Sequence, residues 1–458
     1  MKLKYNLENI GNIEKASIII KPLTIIAGEN SSGKTFVTKS LYTVLNSVYQ
    51  NHFSQKVITQ YISLKRDYQN FLDKLKKPSK KDILFENKIM EFDDRIYQVI
   101  LELIDSDFEK EESVIINNLK LFDEYEKSLV EYFKERATLK KFQKDVNEIQ
   151  SILTKLEDFI FIINNRRDIV VSSIDSHLEI GFKKNYQITN LKSLINLSLD
   201  KELKLSIEDI GEIQIGSKSK LNFNFYGEGI EKIQKVQNIL FFDSPVYIKI
   251  RKALEKDKRL GFDILKKDED KYLRGYPEYL DKLYEFLDKE YIETADFSSI
   301  SEDIQKIISG KLNVSKSGDI QYTDNKNNTI PLSLTAMGIS NIGLIDLLLR
   351  NNVINKGSFL IMDEPEVHLH PEWQVILAQL LYKIAKSGAN IIIATHSLDF
   401  LKAFENILKE ENEIAEDIIA INKMPYEESF SEKTELEKVG IVLDDLSRPF
   451  YNLYMQDI

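Results

Sequence analysis

Gly28-Glu29-Asn30-Ser31-Ser32-Gly33-Lys34-Thr35 decides how this chain is read. It fits G-x-x-x-x-G-K-[ST], the pattern of a phosphate-binding loop. The apolar run Leu23-Thr24-Ile25-Ile26-Ala27 ahead of it predicts a strand, and Phe36 to Leu41 behind it predicts the opening of a helix. Strand, loop and helix are the setting the motif requires. Gly28 and Gly33 let successive N–H groups turn toward phosphate oxygens, and the helix adds the positive end of its dipole. Lys34 is placed to reach β- and γ-phosphates, and the Thr35 hydroxyl to bind Mg²⁺. A plain glycine turn, its lysine facing solvent, is the competing reading; it would not need every fixed position filled.

Composition narrows the class. The chain has 458 residues, 43% hydrophobic and 29% charged, which suits two or three globular domains and excludes a disordered polymer. No apolar run approaches the ~18 residues of a membrane span, and the N-terminus lacks a basic stretch followed by an apolar core. A cytoplasmic protein without a membrane partner is expected. With no cysteine, disulfides, zinc-thiolate sites and thiol nucleophiles are absent together. A net charge of −11 argues against a basic surface overall, yet leaves a local basic groove, and so nucleic acid, open.

Outward from the loop, residues 1–27 read as strands leading into it, punctuated by Gly11 and Pro22, and residues 1–46 as the N-terminal part of a head that contains the loop. Residues 47–177 change to long polar stretches with helical apolar spacing, a helical insertion. Its seams are Val57, Tyr61, Leu64, Tyr68, Phe71 and Leu75; Ile89, Phe92, Ile96, Val99 and Leu103; and Leu139, Phe142, Val146, Ile149, Leu153, Leu156 and Ile160. About three heptads each predicts a bundle or short coiled coil, not a long arm. Residues 178–250 return to strand patterning, ending in Ile239-Leu240-Phe241-Phe242 before Asp243-Ser244-Pro245. Residues 251–310 read as a helical subdomain. Residues 311–458 form a C-terminal lobe, opening with a hairpin from Lys311 to Ile330 turned by Gly318 and by Asp324 to Asn328.

That lobe carries the second half of the site. Phe359-Leu360-Ile361-Met362-Asp363-Glu364 is an apolar strand delivering two carboxylates to the edge where parallel sheets bind ligands. Asp363 is placed for Mg²⁺, and Glu364 to orient or deprotonate an attacking water. Asn390-Ile391-Ile392-Ile393-Ala394-Thr395-His396-Ser397 is another core strand, ending in a histidine suited to sensing a γ-phosphate. His368 and His370 bracket one residue, but with no cysteine and no third ligand in sequence they do not read as a metal site. Trp373 reads as packing, and the acidic run from Lys409 to Asp417 as a solvated helix face.

The loop, Asp363-Glu364-Pro365 and Thr395-His396-Ser397 resemble the ABC-class ATPase heads of the SMC and RecF lineage. More than 300 residues separate Lys34 from Asp363, and that class tolerates such insertions. Leu334-Thr335-Ala336-Met337-Gly338-Ile339-Ser340, followed by Asp363-Glu364-Pro365-Glu366-Val367-His368-Leu369-His370-Pro371, is similar to the overcoming-lysogenisation-defect type ATPases, many of which belong to bacterial anti-phage systems such as Septu and PARIS. The resemblance covers residues 1 to 45 and about 311 to 400.

It implies an α/β fold: an ABC-type head of two lobes, a mixed sheet flanked by helices, with a large helical insertion. It implies ATP and Mg²⁺ as cofactors and slow ATP hydrolysis, with Glu364 and His396 catalytic and Thr35 and Asp363 on Mg²⁺. Gly28, Asn30, Ser31, Ser32, Gly33, Lys34, Thr35 and Phe36 would hold the nucleotide. Gly338 would cap it from the opposing subunit, although Ala336 and Met337 stand where a signature serine is expected. A homodimer or higher homo-oligomer follows. About 60 residues follow His396, too few for a nuclease domain, so an effector such as a nuclease is expected as a separate protein. A DNA-repair or DNA-clamping ATPase is the other reading. The glutamine that such heads place between their lobes is Gln187, Gln214 or Gln234 by position.

Overall fold

The computed structural model describes residues 2–104, 106, 108–196, 201–216, 219–226, 236, 238–251, 276–288, 297–315 and 318–455. These group into an α/β unit, Met1–Val48 with His177–Ile458, and a helical unit, Tyr49–Ser176.

In the α/β unit, β1 (Leu3–Ile10) and β2 (Ile13–Ile20) are followed by β3 (Leu23–Gly28) and by helix α1 (Lys34–Tyr49), with the phosphate-binding loop between β3 and α1. All six residues of β3 are buried, as a strand covered on both faces requires. The other buried, mainly apolar strands join it: β7 (Ile239–Phe242), β11 (Phe359–Asp363), β12 (Asn390–Thr395) and β13 (Ile419–Met424). They form one parallel sheet in the order β13-β3-β12-β11-β7. The loop strand therefore sits inside the sheet, and the acidic strand β11 lies one strand further on.

A second sheet is antiparallel, in the order β2-β1-β4-β5-β6, with β4 (Leu203–Ile207), β5 (Gly211–Ile215) and β6 (Leu221–Phe225). Its strands alternate buried and open residues, as in β1, because one face meets the core and the other does not. Tyr5 crosses from this sheet to donate to Ser40 Oγ of α1 at 2.9 Å. A third sheet, β10-β9-β8, contains β8 (Gly310–Val314), β9 (Ile320–Asp324) and β10 (Thr329–Pro331). The expected hairpin gains a third short strand. Its second turn is locked by Asp324, whose carboxylate accepts from the N–H groups of Lys326 and Asn328, both at 2.8 Å.

The helical unit contains α2 (His52–Asp73), α3 (Lys80–Ile104), α4 (Phe108–Thr138) and α5 (Val146–Asn164), and α6 (Arg166–Tyr186) begins there. The first seam is buried from Val57 to Phe71 and the second throughout. The third differs: α4 ends at Thr138, Phe142 sits in a short 3₁₀ turn, and the buried line of α5 runs Ile149, Ile152, Leu156, Phe159 and Ile163. The polar run Lys140 to Asp145 breaks the helix. Packing of α5 against both α2 and α4 widens its buried face beyond a single seam.

Strand patterning was expected from residue 178, yet α6 continues to Tyr186. Ile174, Leu178 and Phe182, four apart, are all buried and hold it helical. The remaining helices are α7 (Pro245–Lys249), α8 (Glu278–Leu287), α9 (Ser298–Ile307), α10 (Met337–Arg350), α11 (Pro371–Lys386), α12 (Leu398–Ile418) and α13 (Glu435–Met455). Much of the stretch expected as a helical subdomain, 252–275 and 289–296, lies outside the described residues.

Candidate nucleotide site

Backbone proximity dictates the loop's glycines. Gly28 pairs with Met424 of β13, and a Cβ there would sit 2.0 Å from the Met424 carbonyl oxygen. Gly33 has φ +98°, and a Cβ would meet Ile13 Cγ1 at 2.6 Å. Ser31 is also left-handed, φ +62°, and its carbonyl accepts from the Asn12 amide. Asn30 stands beside it, exposed. The Ser32 hydroxyl is buried without a partner.

Lys34 is only 5% exposed, and its ammonium folds back to donate to the carbonyls of Gly28 at 3.0 Å and Glu29 at 2.8 Å. Burial lowers its pKa, while the charges of Glu364, Asp363 and Glu366 pull it back up. Phe36 turns away from the loop's mouth: its ring stacks on Tyr186 at 5.7 Å and fills the space a Cβ on Gly11 would need.

Asp363 ends β11. Burial raises its carboxyl to about 6, a hydrogen bond from Thr35 opposes this, and Asp243 raises it further. Asp243 was not expected here. Register explains it: Phe242 pairs with Met362, so Asp243 and Asp363 leave neighbouring parallel strands side by side. The Tyr279 hydroxyl donates to Asp243 Oδ2 at 2.9 Å, and Lys39 lies 5.6 Å over the Tyr279 ring. Asp363 Oδ1 is buried with no partner. A partnerless buried carboxylate oxygen is expensive unless a ligand completes it. Carboxylates and a threonine hydroxyl are the oxygen donors a hard cation takes, so the residues present fit Mg²⁺.

Glu364 adopts φ +49°, an uncommon conformation for a side-chain-bearing residue, costing on the order of 1 kcal/mol. Its N–H donates to the Ala394 carbonyl at 2.9 Å, which holds the turn. The turn aims its carboxylate at His396, whose Nδ1 lies 3.1 Å from Oε1. Glu366, a third carboxylate that sequence reading passed over, is 4% exposed. It accepts from Thr395 Oγ1 at 2.5 Å and from the His396 N–H at 3.2 Å. Burial raises its pKa, and those two bonds restrain the rise. Glu366 thereby fixes the end of β12. Ser397 then caps α12 by accepting from the Phe400 N–H, and donates to Gln374 Oε1 at 2.6 Å.

Gly338 lies in the first turn of α10. A Cβ there would meet the Trp373 ring at 3.0 Å, so glycine lets helix and indole close together. One turn on, the Asn341 amide donates to the Pro365 carbonyl at 2.8 Å, tying α10 to the acidic loop. No side chain caps α10, and Lys249 of α7 donates to the Thr335 carbonyl at 2.7 Å beside that open end. His370 caps α11 instead, its Nδ1 accepting weakly from the Glu372 N–H at 3.4 Å. Among the described residues no cluster of three or more His, Asp or Glu forms a metal cage.

Of the glutamine candidates, Gln187 donates to the Lys184 carbonyl, Gln214 lies on β5 beside Glu212, and Gln234 is outside the described residues. Neither described glutamine follows a strand of the parallel sheet. β7, at the sheet edge beside β11, is followed by Asp243.

The AAA ATPase domain family matches residues 1–401 of this chain. The chain is similar to the DNA double-strand break repair Rad50 ATPase of Saccharolobus solfataricus, 27% identical over 100 residues, which is 21% of this chain and 12% of that protein. The chain thus matches only a small part of that relative's length. Among solved structures it is similar to an SMC head bound to the C-winged helix domain of ScpA, at 11% identity and a TM-score of 0.39, covering 88% of this chain and 91% of that one. The SMC head domain from Thermotoga maritima gives 10% identity and a TM-score of 0.34, covering 88% and 92%. Among the described residues no helix is long and apolar enough to cross a membrane.

Proposed function

We propose that this chain, which belongs to the AAA ATPase domain family, is an ATP-driven switch: two heads close on ATP, hydrolysis releases them, and the paired state controls a partner protein. The observation that carries the reading is the partnerless, buried Asp363 Oδ1 beside Thr35 and Asp243, facing a loop whose lysine is held only by backbone carbonyls.

A polyphosphate offers Lys34 stronger acceptors than the carbonyls of Gly28 and Glu29, so binding exchanges neutral partners for charged ones. Thr35 and Asp363, with Asp243 alongside, would hold Mg²⁺, which would supply positive charge against that of the phosphates. Glu364 orients the attacking water and takes its proton, and the His396 imidazole, through Nδ1, keeps that carboxylate aimed. Glu366 keeps Thr395 and the His396 backbone in place.

A second head supplies what one chain lacks. The open N-terminus of α10, with Gly338, suits a γ-phosphate held by another head, and Lys249 beside it adds a cation where a signature serine is missing. Loss of that phosphate removes the shared contact, and the pair relaxes.

Similarity of 334–340 and 363–371 to overcoming-lysogenisation-defect type ATPases supports a place in bacterial anti-phage defence, with a separate effector such as a nuclease. Light scattering of the Glu364→Gln protein with and without ATP tests the switch: an ATP-dependent doubling of mass is expected, and unchanged mass at saturating ATP would sink it. Co-purification with the neighbouring encoded protein, followed by phage plating with Lys34→Ala, tests the setting; equal plating on the parental and variant strains removes the defence role.

A further inference from the structure

The loop joining α2 to α3 and the loop joining α4 to α5 meet at one end of the bundle: the Phe71 and Phe142 rings are 5.6 Å apart, and Lys74 pairs with Glu148 at 2.8 Å. Together they bring five lysines from 74–81 and three from 140–144 to that end, in a chain whose net charge is −11.

The acids nearby do not cancel them. Asp82 is buried and held by Arg136 and Tyr132, while Glu148 pairs with Lys74 and Glu135 with Lys81 and Arg136. Lys76, Lys77, Lys80, Lys140 and Lys144 are exposed and form no ion pair among the described residues. Lys141 stands 4.5 Å over the Phe142 ring. A cleft of about 260 Å³ opens between the loops, floored by Phe71, Leu75 and Phe142 and walled by Lys74, Lys76, Lys77 and Lys141 with one acid, Asp145.

We infer that this end of the helical unit is a nucleic-acid surface, gripping phosphates through Lys76, Lys77, Lys80, Lys140, Lys141 and Lys144. Charge chooses the occupant. Unpaired, flexible ammonium groups suit a phosphate chain, where each displaces a condensed counterion. Lysine is depleted from protein–protein interfaces, which argues against a protein partner. Stable membrane attachment takes an apolar anchor as well as basic charge. Neither loop exposes a large apolar side chain among the described residues; the first to do so, Ile83 and Leu84, lie within α3. The inference does not depend on the ATPase reading.

The test is fluorescence anisotropy of the full chain with a labelled oligonucleotide, single-stranded or duplex, across a salt series. Two tip variants are used, Lys76→Glu/Lys77→Glu/Lys141→Glu and Lys80→Gln/Lys140→Gln/Lys144→Gln. A third, Lys56→Glu/Lys120→Glu/Lys127→Glu, makes the first variant's charge change away from the tip; circular dichroism verifies each fold. Binding at low salt should weaken at least about tenfold in the first variant and less in the second, with a shallower salt slope, and stay near parental in the third. No binding by the parent, equal loss in tip and control variants, or no loss at the tip would overturn the proposal. So would capture by phosphatidylserine vesicles with no affinity for nucleic acid, which would make the surface a membrane contact.

Discussion

His396 Nδ1 lies 3.1 Å from Glu364 Oε1, linking the ends of two adjacent parallel strands, β11 and β12. A carboxylate only accepts, so the imidazole donates, and its other nitrogen is left for a phosphate or water. In the proposed mechanism this one hydrogen bond would couple water positioning to phosphate sensing.

From that pair, Glu364→Gln is expected to retain ATP and lose turnover by roughly two to four orders of magnitude, because the amide accepts from His396 yet cannot take a proton. Phosphate release in single-turnover conditions checks it. Hydrolysis at the parental rate would remove Glu364 from the role.

Lys34→Ala is expected to abolish ATP binding while barely altering the fold. The methyl group cannot face a polyphosphate. In the free chain, moreover, the ammonium satisfies only two loop carbonyls that water can reach once the side chain is gone. Equilibrium titration with a labelled ATP analogue decides: unchanged affinity would take the loop out of the mechanism.

How much of this was legible in the sequence depends on distance along the chain. The loop and the two strand ends are contiguous patterns, so Lys34, Asp363, Glu364 and His396 could each be named from their neighbours. Asp243 could not. It stands 120 positions before Asp363, and only the β7–β11 register sets the two side by side. Glu366 was visible as a letter, but its burial under Thr395 follows from a turn that Glu364 makes with φ +49°. Gly338 carried a motif, whereas its contact with Trp373 needed α10 and α11 in three dimensions. The third helical seam misled because apolar spacing continued across a polar run that ends a helix.

Asp363 gives the pH dependence. Its folded pKa of about 6 lies above the ~3.9 of an unfolded aspartate, so the native state binds the extra proton between those values. Its contribution favours folding below about pH 4 and is lost as pH rises through 6. Asp363→Asn should therefore stabilise the ligand-free protein at pH 8, by on the order of 2 kcal/mol, and change little at pH 4. Urea unfolding at the two pH values measures this. In the parent, Mg²⁺-dependent nucleotide affinity should fall as pH drops below 6, since the proton competes for the same oxygen. Equal stability of both proteins at pH 8 would show that this carboxylate carries no burial penalty.

Gly338 tests whether the site is shared between chains. Any side chain there must displace the Trp373 ring, which a Cβ would approach at 3.0 Å, so size and charge have to be separated. Gly338→Ala adds only the size: the indole must give by a few tenths of an ångström, and turnover should fall modestly. Gly338→Asp adds a carboxylate at the open end of α10, where a phosphate from another head is expected, and should abolish hydrolysis through repulsion. ATP binding by a single chain should survive in both, because the group a side chain on Gly338 meets first is the Trp373 ring. In the proposed shared site the two defects, Lys34→Ala and Gly338→Asp, would lie on opposite faces of a head. Mixing the two proteins should build one heterodimeric site with an intact loop from one chain and an intact α10 from the other, while the second site carries both lesions. Activity should return to about a quarter of the parental rate in an equal mixture, since statistical exchange makes half the dimers mixed and each has one working site. If subunit exchange is demonstrated by energy transfer between labelled chains and the mixture stays inactive, each head completes its own site and the composite arrangement is wrong.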